Sequence, residues 1–234
     1  MKTLKSVLLI AAVLFTSALQ AQTADEIINK HIEAIGGKDK IGQVKSLYIE
    51  YSMEAMGNTS VSTESLLAGK GFKSESEFNG MKLINCFTDK GGWSVNPFTG
   101  NSDPQAMPDE VYKAGKDQLN FGGALVNYAS KGYKAELLGK EGNNFKIKLT
   151  GGSAETTYYI DGTTWYLTKT TAKAEMMGQS IEIVISFSDY KKTDFGIVLP
   201  YSRATDFGGF ALSTKITKVE VNKDLDAKIF EMPK

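Results

Sequence analysis

Residues 145–187 read FKIKLTGGSAETTYYIDGTTWYLTKTTAKAEMMGQSIEIVISF, and the period of this stretch decides the fold class. Phe145, Ile147 and Leu149 alternate with Lys146 and Lys148. That alternation puts apolar side chains on one face of a strand and ammonium groups on the other. Gly151-Gly152 turns the chain into Thr156 to Ile160. Asp161-Gly162 then signals a hairpin, because both residue types tolerate the positive φ of a tight turn. Trp165 to Thr171 returns, Met177-Gly178 turns again, and Ile181, Ile183, Ile185 and Phe187 alternate with Glu182 and Ser186. Strands joined in succession by tight turns predict an antiparallel meander.

The same period extends in both directions. Downstream, Asp194-Phe195-Gly196 turns into Ile197 to Ala204, and Phe210 to Val221 follows. Upstream, Leu47, Ile49, Tyr51 and Met53 alternate with Tyr48, Glu50, Ser52 and Glu54, and Gly57-Asn58 turns into Val61 to Ala68. Phe72 to Phe78 and Met81 to Thr88 flank the tight turn Asn79-Gly80, and Trp93 to Val95 closes this section. Between the two sections, Asn96 to Met107 carries Pro97, Gly100 and Pro104 and reads as a loop. Pro108-Asp109-Glu110 opens a helix running to about Leu119, with acids beside the positive end of its dipole, and Phe121 to Ser130 holds a shorter one. The expectation is ten or eleven strands. An open meander would leave bare edges and a bare apolar face, so the strands should close or half-close into a barrel, with helices over the remaining opening.

Two elements precede the strands. Thr23 and Glu26 form a capping box, Ile27, Ile28, His31, Ile32 and Ile35 recur at helical spacing, and Gly36-Gly37 supplies a left-handed cap. Thr23 to Ile35 is therefore expected to be a short amphipathic helix. Before it, Lys2 and Lys5, the apolar run Val7 to Phe15 and the small residues Ser17, Ala18 and Ala21 are arranged as an export signal cleaved after Ala21. A membrane anchor is the competing reading, but the run falls short of the roughly 20 residues a span needs. Residues 22–234 are expected to form one soluble, β-rich domain exported from the cytoplasm.

Composition narrows the chemistry. Without Lys2 and Lys5 the chain has 25 basic and 27 acidic residues, a net charge of −2, which offers no electrostatic footprint for nucleic acid. Arg203 is the only arginine, so clamps for polyanions are not expected. Cys86 is the only cysteine, which excludes an internal disulfide and reads as a buried small hydrophobe. His31 is the only histidine and reads as a helix-packing residue. One histidine and one cysteine do not make a zinc site, and no nucleophile elbow, phosphate loop or dinucleotide motif occurs. Asp161, Asp189, Asp194 and Asp206 are the carboxylates a glycosidase-type pair would draw on. Asp161 and Asp194 sit before glycine turns and read as turn formers. No catalytic residue, metal or cofactor is expected.

Four segments in order resemble the LolA-like family of periplasmic lipoprotein-sorting proteins: ADEIINKHIEAIGG from Ala24, AETTYYIDGTTWYLTKT from Ala154, ISFSDYKKTDFGIVLPY from Ile185, and KVEVNKDLDAKIFEMP at the C-terminus. The resemblance implies an α+β, mainly β fold: a strongly curved antiparallel sheet forming a half-open, unclosed β-barrel, with an N-terminal helix and a central helical lid over an apolar cavity. It also implies a monomeric carrier of lipoprotein acyl chains or lipid, which receives its load from an inner-membrane transporter and passes it to an outer-membrane receptor. This chain is longer than the simplest carriers, chiefly through Asn96 to Ser130, and no ligand-gripping arginine of the family aligns with a position here.

Alternation nominates the cavity wall. Leu47, Ile49, Tyr51 and Met53 share one face, as do Ile181, Ile183, Ile185 and Phe187, and Phe145, Ile147 and Leu149. Ile28, Ile32 and Ile35 of the first helix are the expected lid contacts. A solid core is the competing reading, although side chains alone do not readily fill so wide a sheet. Met176-Met177 falls at a hairpin tip, where exposed apolar residues suit contact with lipid or a partner. An envelope protein that binds a protein partner is the alternative function, and a hydrolase with paired carboxylates a third.

Overall fold

The computed structural model describes residues 22–97, 101–151, 154–176 and 179–233. The expected export signal and Met177 lie outside them. Helix α1 (Ala24–Ala34) and the short α2 (Gly37–Gly42) lead into β1 (Ser46–Ala55), β2 (Asn58–Leu67), β3 (Gly71–Phe78), β4 (Met81–Thr88), β5 (Gly91–Asn96) and β6 (Asn101–Ala106). Helix α3 (Asp109–Gly115) and three single 3-10 turns, Lys116–Leu119, Gly123–Leu125 and Tyr128–Lys131, form the middle. The second meander comprises β7 (Lys134–Glu141), β8 (Asn144–Gly151), β9 (Ala154–Asp161), β10 (Leu167–Met176), β11 (Gln179–Lys192), β12 (Val198–Asp206) and β13 (Ala211–Val221).

Among the described residues the strands make one 13-stranded antiparallel sheet in the order β6-β5-β4-β3-β2-β1-β13-β12-β11-β10-β9-β8-β7. It is not closed: β6 and β7 are its free edges. Eleven of its twelve neighbouring pairs join strands consecutive in sequence, and one non-local pair stitches the two meanders, Leu47 opposite Val221 through Ala55 opposite Leu212. The sheet exceeds the expected ten or eleven strands. One extra strand is β6, in a segment whose prolines and glycine read as a loop; Pro104 is admissible there because β6 pairs only with β5 and an edge strand can spare an amide. The expected helix to Leu119 stops at Gly115 and continues as a 3-10 turn. The expected helix over 121–130 is instead two 3-10 turns, interrupted by Gly122 and Asn127 in left-handed conformations.

Helix α1 starts as its sequence dictates. Thr23 Oγ1 accepts from the Glu26 amide at 3.2 Å, and Glu26 Oε2 accepts from the Thr23 amide at 3.0 Å. At its other end Gly36 adopts φ 134°, and a Cβ there would stand 3.3 Å from Ile197 Cα. That close approach lets the Val198 amide donate to Ile35 O at 2.9 Å, tying the helix end to β12. The apolar stripe Ile27, Ile28 and Ile32 then lies across β7 to β9, on Phe145, Ile147, Leu149 and Ile160. Burying each such side chain is worth about 1.5–3 kcal/mol, so this contact anchors the helix.

The opposite face of the first meander is closed by the C-terminus. A 3-10 turn, Ala227–Phe230, packs Phe230 against Cys86 and Trp93. Trp93 Nε1 donates to Phe230 O at 2.9 Å, and Cys86 Sγ lies 3.3 Å from the same oxygen. Burial pushes the Cys86 thiol up to about 11. Gly71 makes room for this clasp: a Cβ there would sit 2.3 Å from the Phe230 ring.

Candidate functional site

The inner face of the sheet is not filled everywhere. A cavity of about 410 Å³ lies over β1 to β3 and β11 to β12, within the roughly 300–1,000 Å³ of small-molecule sites. Its walls include Leu47, Ile49 and Tyr51 of β1, Leu66 of β2, Phe72 of β3, Phe187 and Tyr190 of β11 and Leu199 of β12. Residues 118–125 roof it with Phe121 and Leu125, and α1 contributes His31 and its capping residue Ile35.

The roof is tethered at its margins by polar contacts. The Gly69 amide donates to Leu119 O at 2.7 Å. Tyr133 Oη donates to Asp117 at 2.5 Å, and Lys131 Nζ donates to Gly123 O at 2.7 Å while standing 3.5 Å from Asp117. Tyr128 Oη donates to Asp25 of α1. The roof thus couples α1 to the first meander.

A charged pair sits in the wall, whose other polar members include Gln118, Asn120 and Thr170. Arg203 on β12 and Glu64 on β2 are separated in the sheet by β13 and β1, roughly 14 Å at ordinary strand spacing. The sheet curves enough for Arg203 to lie over the Tyr51 ring, 5.3 Å from its centroid, and reach Glu64. Nη1 and Nη2 each donate to Glu64 Oε1 at 3.3 Å, Nη2 also donates to Tyr51 Oη at 2.9 Å, and Tyr51 Oη donates to Glu64 Oε2 at 2.7 Å. The Arg203 side chain keeps 32% of its surface exposed, Glu64 24%. Burial opposes the charge on Arg203, but the Glu64 carboxylate and Tyr51 outweigh it, and the guanidinium is held above its ordinary pKa. Burial, reinforced by the charge on Glu64, raises Tyr51 well above the ordinary phenol value. Beside Arg203 across the β12–β13 pair, Thr214 Oγ1 is buried with no hydrogen-bond partner.

His31 packs at the cavity's edge. Its Nδ1 lies 2.9 Å from Trp165 O, so Nδ1 carries the proton and donates. Burial lowers its pKa, partly offset by that bond, and the ring is neutral near pH 7.

The structure divides the fourteen residues nominated from sequence. Ile35, Leu47, Ile49, Tyr51 and Phe187 line the cavity. Ile28, Ile32, Phe145, Ile147 and Leu149 do not: they bury one another where α1 covers β7 to β9. Met53 continues the β1 stripe, and Ile181, Ile183 and Ile185 continue that of Phe187, but all four fall outside the cavity wall, nearer the hairpin tips. The side chain of Met176 and all of Met177 lie outside the described residues; at the same end of the sheet, the hairpin tips expose Met56, Met81 and Phe210. Asp161 accepts from the Thr163 and Thr164 amides, and Asp206 from the Gly209 amide, as turn formers do. Asp189 pairs with Lys191 at 2.8 Å.

Arg203, Glu64, Tyr190 and the roof residue Phe121 were not nominated. One signal was available for two of them: Glu64 shares the inward parity of Leu66, and the single arginine sits on a strand, two uncommon placements on an apolar face.

No family model matches the sequence, and no curated protein matches it either. Solved structures do. A LolA superfamily protein from Nitrosomonas europaea superposes with a TM-score of 0.56 at 14% identity, over 90% of this chain and 98% of that one. A domain described as an outer membrane lipoprotein-sorting protein domain, from Vibrio parahaemolyticus, gives 0.59 at 12% identity, over 88% and 97%. A DUF1329 family protein from Desulfovibrio piger gives 0.53 at 10% identity, over 90% and 98%. The chain therefore has the LolA-like fold that its sequence resemblance implied. At such identity the likeness is one of fold.

Proposed function

We propose that this protein is a non-enzymatic periplasmic carrier that holds acyl chains of a lipoprotein or lipid in the roofed cavity and moves them toward the outer membrane. The observation that carries the reading is the cavity: about 410 Å³ left open over the inner face of the sheet, beneath a roof that joins the core through Leu125 and is tethered by polar contacts at its margins. Each CH₂ taken from water into such a space stabilises the bound state by about 0.8 kcal/mol. Leu47, Ile49, Tyr51, Ile35 and Phe187 would contact the chain. Ile28, Ile32 and their partners on β8 support the wall from the side. The fold of the Nitrosomonas and Vibrio proteins, one of them described as lipoprotein-sorting, supports the same reading. In this reading residues 1–21 direct export, residues 22–234 act as one domain, and the load comes from an inner-membrane transporter and goes to an outer-membrane receptor.

Native mass spectrometry of the purified protein, with solvent extraction, tests it. Lipid or acylated protein that co-purifies, and is lost in Ile49→Asp while the circular dichroism of the sheet persists, supports the carrier. Reproducible absence of any bound species overturns it. A second reading, an envelope protein docked on a protein partner, draws on the apolar hairpin tips Met56, Met81 and Phe210. It would gain if changing Met56 to Ser released a co-purifying protein while Ile49→Asp released nothing.

A further inference from the structure

Among the described residues that line the cavity, the charged side chains are Arg203 and Glu64, and they are paired with each other. The third ionisable group of interest, His31, is neutral near pH 7 because of its burial. The ligand space therefore carries no net charge, although it contains the single arginine of the chain. A carboxylate or phosphate arriving at Arg203 would meet the Glu64 carboxylate at a similar distance, so that attraction and repulsion nearly cancel, and it would still lose its own hydration. A neutral group with hydrogen-bonding capacity faces neither difficulty. The guanidinium has five N–H donors. Three of them go to Glu64 and Tyr51, one from Nη1 and two from Nη2, which leaves the Nε–H and one Nη1–H on a side chain that lines the cavity. Glu64 Oε2, which among the described residues accepts only from Tyr51 Oη, offers a matching acceptor site to a hydroxyl.

Resting on the carrier reading, we propose that the cavity selects acyl ligands by an uncharged ester or hydroxyl group, as in an acylglycerol unit, seated at Arg203, Glu64 and Tyr51, and rejects ligands whose polar end is anionic. The ester carbonyl accepts from Arg203, a neighbouring hydroxyl donates to Glu64, and the acyl chain runs beneath Phe121 and Leu125. Glu64 is the specificity element: it neutralises Arg203, which would otherwise capture any fatty acid.

The test compares one fluorescent acyl chain in two forms, the free acid and its glycerol monoester, titrated into the purified protein at pH 7.5 and low salt. The monoester is expected to bind at least about tenfold tighter. Glu64→Gln keeps shape and hydrogen bonding but leaves Arg203 uncompensated, so the preference should invert toward the free acid, and high salt should weaken the new binding. Arg203→Gln should lose the monoester preference without gaining the acid. Thermal unfolding of each variant shows that it is folded. Equal binding of both forms by the unaltered protein, or a Glu64→Gln variant that still prefers the monoester, overturns the proposal while leaving the carrier reading intact. Failure of both forms to bind overturns the two together.

Discussion

The stripe Phe145, Ile147 and Leu149 on β8 and the stripe Leu47, Ile49 and Tyr51 on β1 have the same alternation, the same strand geometry and the same inward direction. Their fates differ. The β8 stripe is sealed by α1, whose Ile28 and Ile32 fill the space above it. The β1 stripe faces a cavity roofed at a distance by residues 118–125. One half of the sheet is a solid core and the other a container. The difference lies in what mainly covers each half: a capped, amphipathic helix joined by Leu125 and Val126, or the stretch of short 3-10 turns broken by Gly122 and Asn127. A broken segment cannot present a continuous apolar stripe, so it leaves volume beneath it.

Removing one side chain from each half tests this contrast most severely. Ile147 is fully buried, and Ile147→Ala should cost about 2–5 kcal/mol. Ile49→Ala removes a side chain that already borders open space and should cost about 2 kcal/mol or less, yet weaken ligand binding more. Chemical denaturation of both variants decides the matter. Equal costs would mean that the cavity half is packed as tightly as the other.

Next in size is the clasp behind the cavity half. Gly71→Ala would drive a methyl into the Phe230 ring and expel it, costing about 3 kcal/mol by loss of a buried aromatic. The fluorescence of Trp93 should report the release. An unchanged spectrum and melting temperature would show that the container does not need its rear support.

A smaller effect, of opposite sign, is expected beside the container, opposite Arg203. Thr214→Val removes a buried hydroxyl with no partner and should raise stability by about 1 kcal/mol, read as a melting temperature about 2–4 °C higher. A fall instead would mean that the hydroxyl is bonded after all, to water or ligand.

The smallest is a slope. The folded pKa of His31 lies below its unfolded value of 6.5, because burial disfavours the imidazolium. Below pH 6.5 the unfolded state therefore binds more protons, and stability must fall as pH falls toward the folded pKa; above 6.5 the contribution is complete. Melting temperatures from pH 7.5 to 5 should decline in the unaltered protein, and His31→Gln should flatten that segment. His31 joins the sealed half to the cavity edge, through its bond to Trp165 O, so the slope measures the seam between the two regions.

Much of this was legible in residues alone. The capping box and stripe of α1, the hairpin turns at Asn79-Gly80 and Asp161-Gly162, and the face of nearly every strand are local facts, set by propensity and by the two-residue period of a strand. Strand β6 escaped because its prolines and glycine outweigh pattern until an edge position makes them harmless. The wall of the cavity was only partly legible, since five of the nominated residues proved to be core. Alternation says which way Ile147 and Ile49 point; it is silent on what stands opposite.

The sequence by itself determined most of the strands, their inward faces and the leading helix, because these depend on neighbours a few residues apart. Only the tertiary structure decided that α1 lies on β7 to β9 rather than over the whole opening, and that Arg203 meets Glu64 across 139 residues of chain. Both depend on the β1–β13 pairing and on the curvature of the sheet, which sum small twists over thirteen strands. No local pattern encodes that sum.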